Sequence, residues 1–200
     1  DSGHEADSDI DCNNDCFGTA EDDSCGVCSG GNADDLGCGC FEPGPSGCDN
    51  ICGSTLEFDE FSICGGDGTI QGAIDAADSG DVVNVPENTY EECISIDKSI
   101  SLIANGSVEL NGLNCTSVIS VSSADVAVDG FEVIGSDQTT SGINIGPGSS
   151  NILISNNTIH GMKLPNQSNL SPGSYGILVW GGQEVSGIIL EGNEIYDVLL

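Results

Sequence analysis

The feature that most constrains this chain is a set of aliphatic pairs recurring at a nearly constant interval. Ile100/Leu102, Val126/Val128, Ile152/Ile154 and Ile188/Leu190 are separated by 26, 26 and 36 residues. Ile94/Ile96, Ile119/Val121, Ile143/Ile145 and Ile177/Val179 keep step with them at 25, 24 and 34. A third set, Val108/Leu110, Val133, Ile159 and Ile195, falls seven or eight residues after the first. Alternation with period two places the apolar side chains on one face of a strand. Three short strands per repeat, with Gly, Asn and Ser turns between them, cannot bury that face alone. Stacking each strand on its equivalent one repeat away, at about 4.8 Å, buries all of them, which is the arrangement of a parallel β-solenoid.

Ahead of the strands the period changes. Ile70, Ala73, Ile74 and Ala77 have helical spacing, and Ser79-Gly80 ends the run, so a short helix precedes the first coil. Five residues after each first-strand aliphatic stand Asn105, Phe131, Asn157 and Asn193, a register that predicts a ladder of stacked amides. Cys93 and Cys115, 22 residues apart, are spaced to bridge neighbouring turns, the alternative being two buried thiols. The last coil, Ile195 to Leu200, ends on apolar residues, so either further chain follows, as we expect, or another subunit stacks on that end.

Two motifs in this half resemble a known family. Gly187 to Ile195 (GIILEGNEI), echoed by Ile152 to Ile159, resembles the coil of right-handed β-helices in the pectin-lyase-like superfamily. The opening segment, from Thr69-Ile-Gln through Gly80-Asp-Val-Val to Thr89-Tyr, resembles that superfamily's capping helix and first turn. The resemblance implies an all-β fold over residues 69–200: a right-handed parallel β-helix with a short N-terminal capping helix.

Residues 11–68 are a different material. Nine of the eleven cysteines precede residue 65, in a segment rich in Gly, Asp and Asn with few branched aliphatics. Such a segment cannot offset its chain entropy by burial, and disulfides substitute, each contributing about 2–4 kcal/mol. Cys25-Gly-Val-Cys28 has zinc-site spacing. The other intervals, Cys12 to Cys16, Cys48 to Cys52 and Cys38 to Cys40, do not, and no histidine is near. A shift of 36 residues superposes Cys12, Cys16 and Cys28 on Cys48, Cys52 and Cys64, and sets Phe61 opposite Cys25. The lost thiol accounts for the odd count. The cysteine left over pairs with Cys38 or Cys40, stays free or bridges another chain, and spacing does not choose. The pattern resembles small tandem cysteine-rich repeats of extracellular proteins, which implies a spacer module without catalysis. The expected organisation is an acidic tail (1–10), a disulfide-rich irregular domain (11–68) and the β-helix (69–200).

Charge narrows function. The chain carries 33 acidic and 2 basic residues, a formal charge of −31, and has no arginine. Phosphate would be repelled, so nucleic acid is excluded as a partner, and no apolar run is long enough to insert in a membrane. Residues 1–9 do not read as a signal peptide, so either one has been removed or the chain is part of something larger. Cysteine usage points outside the cell.

Enzymes of the resembled superfamily cut acidic polysaccharides with arginine or lysine bases or with clustered aspartates, and this chain lacks those sets. His160-Gly161 echoes one catalytic element, with Lys163 as the nearby base, but no aspartate pair accompanies it on the coils. His4 lies in the polar tail. We therefore expect no catalytic residue and no required cofactor. The acidic excess invites Ca²⁺: Asp7, Asp9 and Asp11 alternate as at the start of an EF-hand loop, although Cys12 replaces its glycine and no Glu closes it. Trp180, with Tyr175, is the candidate sugar-stacking platform, beside an insertion over 161–174. Sequons stand at Asn105, Asn114, Asn156, Asn166 and Asn169. Asn105 is expected to stay unmodified because the ladder would bury it. The function expected is a non-enzymatic extracellular structural or adhesive part of a filament, appendage or matrix. Its partners would be other copies, other subunits or polysaccharide. The alternatives are a fragment of a polysaccharide-cleaving enzyme and a carbohydrate-binding module.

Overall fold

The computed structural model describes residues 10–163, 173–180 and 185–198. Two compact units share the chain, residues 1–57 and residues 58–200.

The larger unit opens with helix α1 (Ile70–Ala76), which buries Ile70, Ala73 and Ile74. Thr69 caps its start by accepting from the Gly72 N–H, and both oxygens of Glu92 accept from the N–H groups of Ile70 and Gln71. At the other end the Lys98 ammonium donates to the carbonyls of Asp75 and Ala77, so one of the two lysines is committed to closing a helix.

Parallel strands form the rest. One sheet runs β1 (Val82–Tyr90), β3 (Ser101–Asn111), β5 (Val126–Ile134), β7 (Ser150–Ser155) and β10 (Ser186–Glu191). The C-terminal part of β5 pairs with β8 (Thr158–His160), which pairs in turn with β11 (Glu194–Tyr196). The second sheet runs β2 (Ile94–Ile96), β4 (Ser117–Val121), β6 (Ser141–Ile145) and β9 (Tyr175–Val179). Each strand thus bonds to its equivalent one repeat away. Cα pairing aligns Val83, Leu102, Val128 and Ile154 in one row, and Ile94, Ile119, Ile143 and Ile177 in another. Val83 to Ile154 are buried along the first row, whereas Leu190 of β10, which pairs with Ile154, is 51% exposed. Cys93 and Cys115 are bonded across successive repeats, as their spacing predicts.

The amide ladder is shorter than the spacing predicts. Asn157, buried, accepts from the Phe131 N–H and donates to the carbonyls of Val128 and Ser155; Asn193 accepts from the Asn157 N–H and donates to the Ile154 carbonyl. Asn105 is not part of it. The β3 register slips between Ile103 and Val108, so Phe131 faces Val108 while Asn105 sits exposed on a bulge beside Gly106, whose φ is +115°.

The cysteine-rich segment is built from hairpins twelve residues apart. Antiparallel bridges join Ile10 to Cys16, Asp22 to Cys28, Asp35 to Cys40 and Ser46 to Ile51, and a fifth hairpin, Phe58 to Cys64, belongs to the larger unit. In hairpins one, two, three and five an aspartate organises the turn. Asp23 is typical, accepting from the N–H groups of Cys25, Val27 and Asn32, and Asp11, Asp35 and Asp59 repeat the arrangement. Glycine is required beside three of these carboxylates, since a Cβ at Gly18, Gly30 or Gly66 would overlap Asp11, Asp23 or Asp59.

Disulfides connect the successive hairpins of the smaller unit. Cys12 in the first turn bonds Cys28 in the arm of the second; Cys25 bonds Cys40, and Cys38 bonds Cys52. Cys48 and Cys64 are disulfide-bonded as well. This corrects three expectations. The 36-residue shift is three units of a twelve-residue repeat. The unbonded cysteine is exposed Cys16, in the arm of the first described hairpin, and not a thiol widowed by Phe61. Phe61 stands in the turn of the last hairpin, where no further hairpin needs a staple, and its ring packs 6.1 Å from Tyr90. Because Phe61 and Ile63 join the apolar core, the fifth hairpin groups with the strands and the division between the units falls after Glu57, not after residue 68.

Candidate functional site

The rows flanking Val133, Ile159 and Ile195 carry the titratable side chains. Parallel register sets Glu132, Thr158 and Glu194 in one outward row and Ile134, His160 and Tyr196 in the next. Diagonal neighbours across such rows lie within reach of long side chains, and here His160 Nε2 meets Glu132 Oε1 at 3.0 Å. The Tyr196 ring stacks on the imidazole, centroids 4.8 Å apart and ring planes nearly parallel. Side-chain exposure is 19% for His160 and 40% for Glu132. Nearby, the Lys163 ammonium lies 2.8 Å from Asp197 Oδ2, in a pair more than half exposed that is worth at most about 1 kcal/mol.

A histidine held by a carboxylate can shuttle a proton. Glu132, Tyr196 and Asp197 are partners that sequence reasoning missed. The signal was present, since fixing Val133, Ile159 and Ile195 in one column places their neighbours in rows beside it.

The two aromatic candidates are not brought together. Tyr175 begins β9 and lines a cleft of about 360 Å³ with Ile195, Tyr196 and Asp197. Trp180 follows the other end of β9, roughly 16 Å away along an extended chain, and is 63% exposed. Its N–H donates to the Ile145 carbonyl.

Among the sequons, Asn114 and Asn156 are exposed, with the Asn156 amide donating to Asp129 Oδ1, and Asn105 is exposed too. Asn166 and Asn169 lie outside the described residues, as do Asp7, Asp9 and His4. Asp11 directs its carboxylate to the N–H groups of Asp15, Ala20 and Asn13, which lower its pKa. Asp23 is lowered in the same way, chiefly by the Val27 N–H, and Asp67 by Thr69. Among the described residues one group has metal-ligand proximity, Cys12, Asp22 and Cys28, but its two sulfurs are bonded to each other.

No protein-family model, curated protein or solved structure matches the chain. Function therefore rests on the chemistry of these residues. No helix among the described residues is long and apolar enough to cross a membrane, and the disulfides point to an oxidising, non-cytoplasmic setting.

Proposed function

We propose that this chain is a non-enzymatic structural or adhesive module of an extracellular assembly. In this reading the two parallel sheets are faces of one right-handed β-helix of the pectin-lyase-like type, capped by α1, and the hairpin series is a covalently stapled spacer.

The observation that carries the reading is the disulfide order. Each described staple runs from the turn of one hairpin to the arm of the next, which resists extension at every step and contributes about 3 kcal/mol per loop of 14 to 16 residues. A series of this kind transmits tension and spaces its neighbours. Support from the strand unit is chemical: Lys98 is spent on helix capping and Lys163 is paired with Asp197, so neither is poised as a base.

Incubating the oxidised protein with polygalacturonate, alginate and chondroitin sulfate is the test. The reading expects no release of oligosaccharide; sustained release that His160→Ala abolishes would overturn it. A second reading, carbohydrate binding, is favoured by the exposure of Trp180. Glycan-array binding lost in Trp180→Ala would establish it.

A further inference from the structure

The hairpins contain an aromatic anomaly that the spacer reading leaves unused. The residue after each arm cysteine is held in the left-handed region: Phe17 at φ 58°, Ser29 at 57°, Phe41 at 66°, Gly53 at 72° and Gly65 at 69°. Glycine belongs there and serine is tolerated. A phenylalanine is strained, because its Cβ crowds the following carbonyl. Burial does not offset that strain, since Phe17 is 77% and Phe41 67% exposed.

Each ring lines a shallow cleft that also contains an aliphatic side chain and a carboxylate. Phe17 lines a shallow cleft of about 330 Å³ with Ile10, Thr19 and Glu21. Phe41, two hairpins on, lines one of about 390 Å³ with Leu36, Asp34 and Glu42. The carboxylates of Glu21, Asp34 and Glu42 have no hydrogen-bond partner among the described residues, unlike the turn-forming aspartates. Each cleft thus offers an aromatic face beside uncommitted negative charge, which is the chemistry that holds a cation.

We propose that these two clefts are a docking surface for a basic polypeptide segment. Arginine or lysine side chains of the partner would lie over Phe17 and Phe41 and against Glu21, Asp34 and Glu42. Charge decides the occupant. At a formal charge of −31 the chain attracts a basic partner, and a second copy brings only two lysines and no arginine. This proposal is independent of what the strand unit does.

A fluorescein-labelled peptide of alternating arginine and glycine, titrated into the oxidised full chain at physiological ionic strength, supplies the probe. Phe17→Ser and Phe41→Ser copy the residue that already occupies this conformation at Ser29, and leave the charge unchanged. We expect each single variant to weaken binding about threefold and the double variant about tenfold, with one free thiol per chain before and after. Upfield shifts of the peptide's arginine side-chain protons, present with the wild type and lost in the double variant, are the second readout. Equal affinity of wild type and double variant would reduce the interaction to diffuse charge and overturn the proposal. So would absence of binding, or ring resonances of Phe17 and Phe41 that respond only to a neutral oligosaccharide or to protein concentration.

Discussion

Replacing Asn157 by alanine tests the interior amide ladder where it is most costly to break. The side chain is 1% exposed, and its loss strands the Phe131 N–H and removes a donor from the carbonyls of Val128 and Ser155. Water cannot reach these groups, and each unsatisfied one costs about 1–3 kcal/mol, so Asn157→Ala should destabilise the strand unit by about 3–5 kcal/mol. Asn193→Ala removes three bonds, but at a half-buried position where water can take the place of the lost side chain, and should cost about 1–2 kcal/mol. Asn105→Ala, on the exposed bulge, should change stability by less than about 0.5 kcal/mol. Guanidinium unfolding with disulfides intact gives the three values, and amide exchange at Phe131 localises the first. Three equal values, or an Asn105→Ala variant as damaged as Asn157→Ala, would refute the ladder.

Titration and cross-linking supply further checks. Burial and the nearby negative charge of Glu60 push the Tyr90 hydroxyl up to about 12. Its contribution to stability should be complete below about pH 10, its unfolded value, and lost as pH rises through 12. Spectroscopic titration should show a tyrosine transition near pH 12 that disappears in Tyr90→Phe; a wild-type titration curve unchanged in that region by Tyr90→Phe would contradict it. The lowered pKa of Asp23 works in the opposite sense, so its turn should be intact above about pH 4 and should loosen as pH falls through the folded value. Amide exchange at Cys25, Val27 and Asn32 should accelerate there, and pH-independent protection would be inconsistent. Replacing Cys93 and Cys115 together by alanine opens a bridge spanning 22 residues and should cost about 3 kcal/mol in unfolding free energy. A loss under about 1 kcal/mol would mean that the bridge adds little to the stacked registers.

Much of the strand unit was legible because period-two alternation and a recurring interval are geometric statements. Ile94, Ile119 and Ile143 had one way to be buried together, and the pairing follows it. The helix was equally open to reading from Ile70, Ala73 and Ile74. Asn105 was misplaced because fixed offsets assume a constant number of residues per turn, and the bulge at Ala104–Ser107 breaks that count locally. In the hairpins a coincidence at 36 residues hid the shorter unit, although Cys16, Cys28, Cys40, Cys52 and Cys64 are evenly spaced by twelve. Connectivity stayed hidden because it depends on which turn faces which arm. The partners of His160 and Lys163, Glu132 and Asp197, are far away in sequence, and only the settled register brings them close.

The central claim is that aliphatics from successive repeats pile up one on another in parallel register. Methyl-resolved nuclear Overhauser spectra of Leu102, Val128 and Ile154 interrogate it directly. Parallel register brings Val128 against both Leu102 and Ile154, so strong cross-peaks are expected from Val128 to each and none between Leu102 and Ile154. A direct Leu102–Ile154 contact, or a Val128 methyl near neither, would contradict the stacking on which the fold rests.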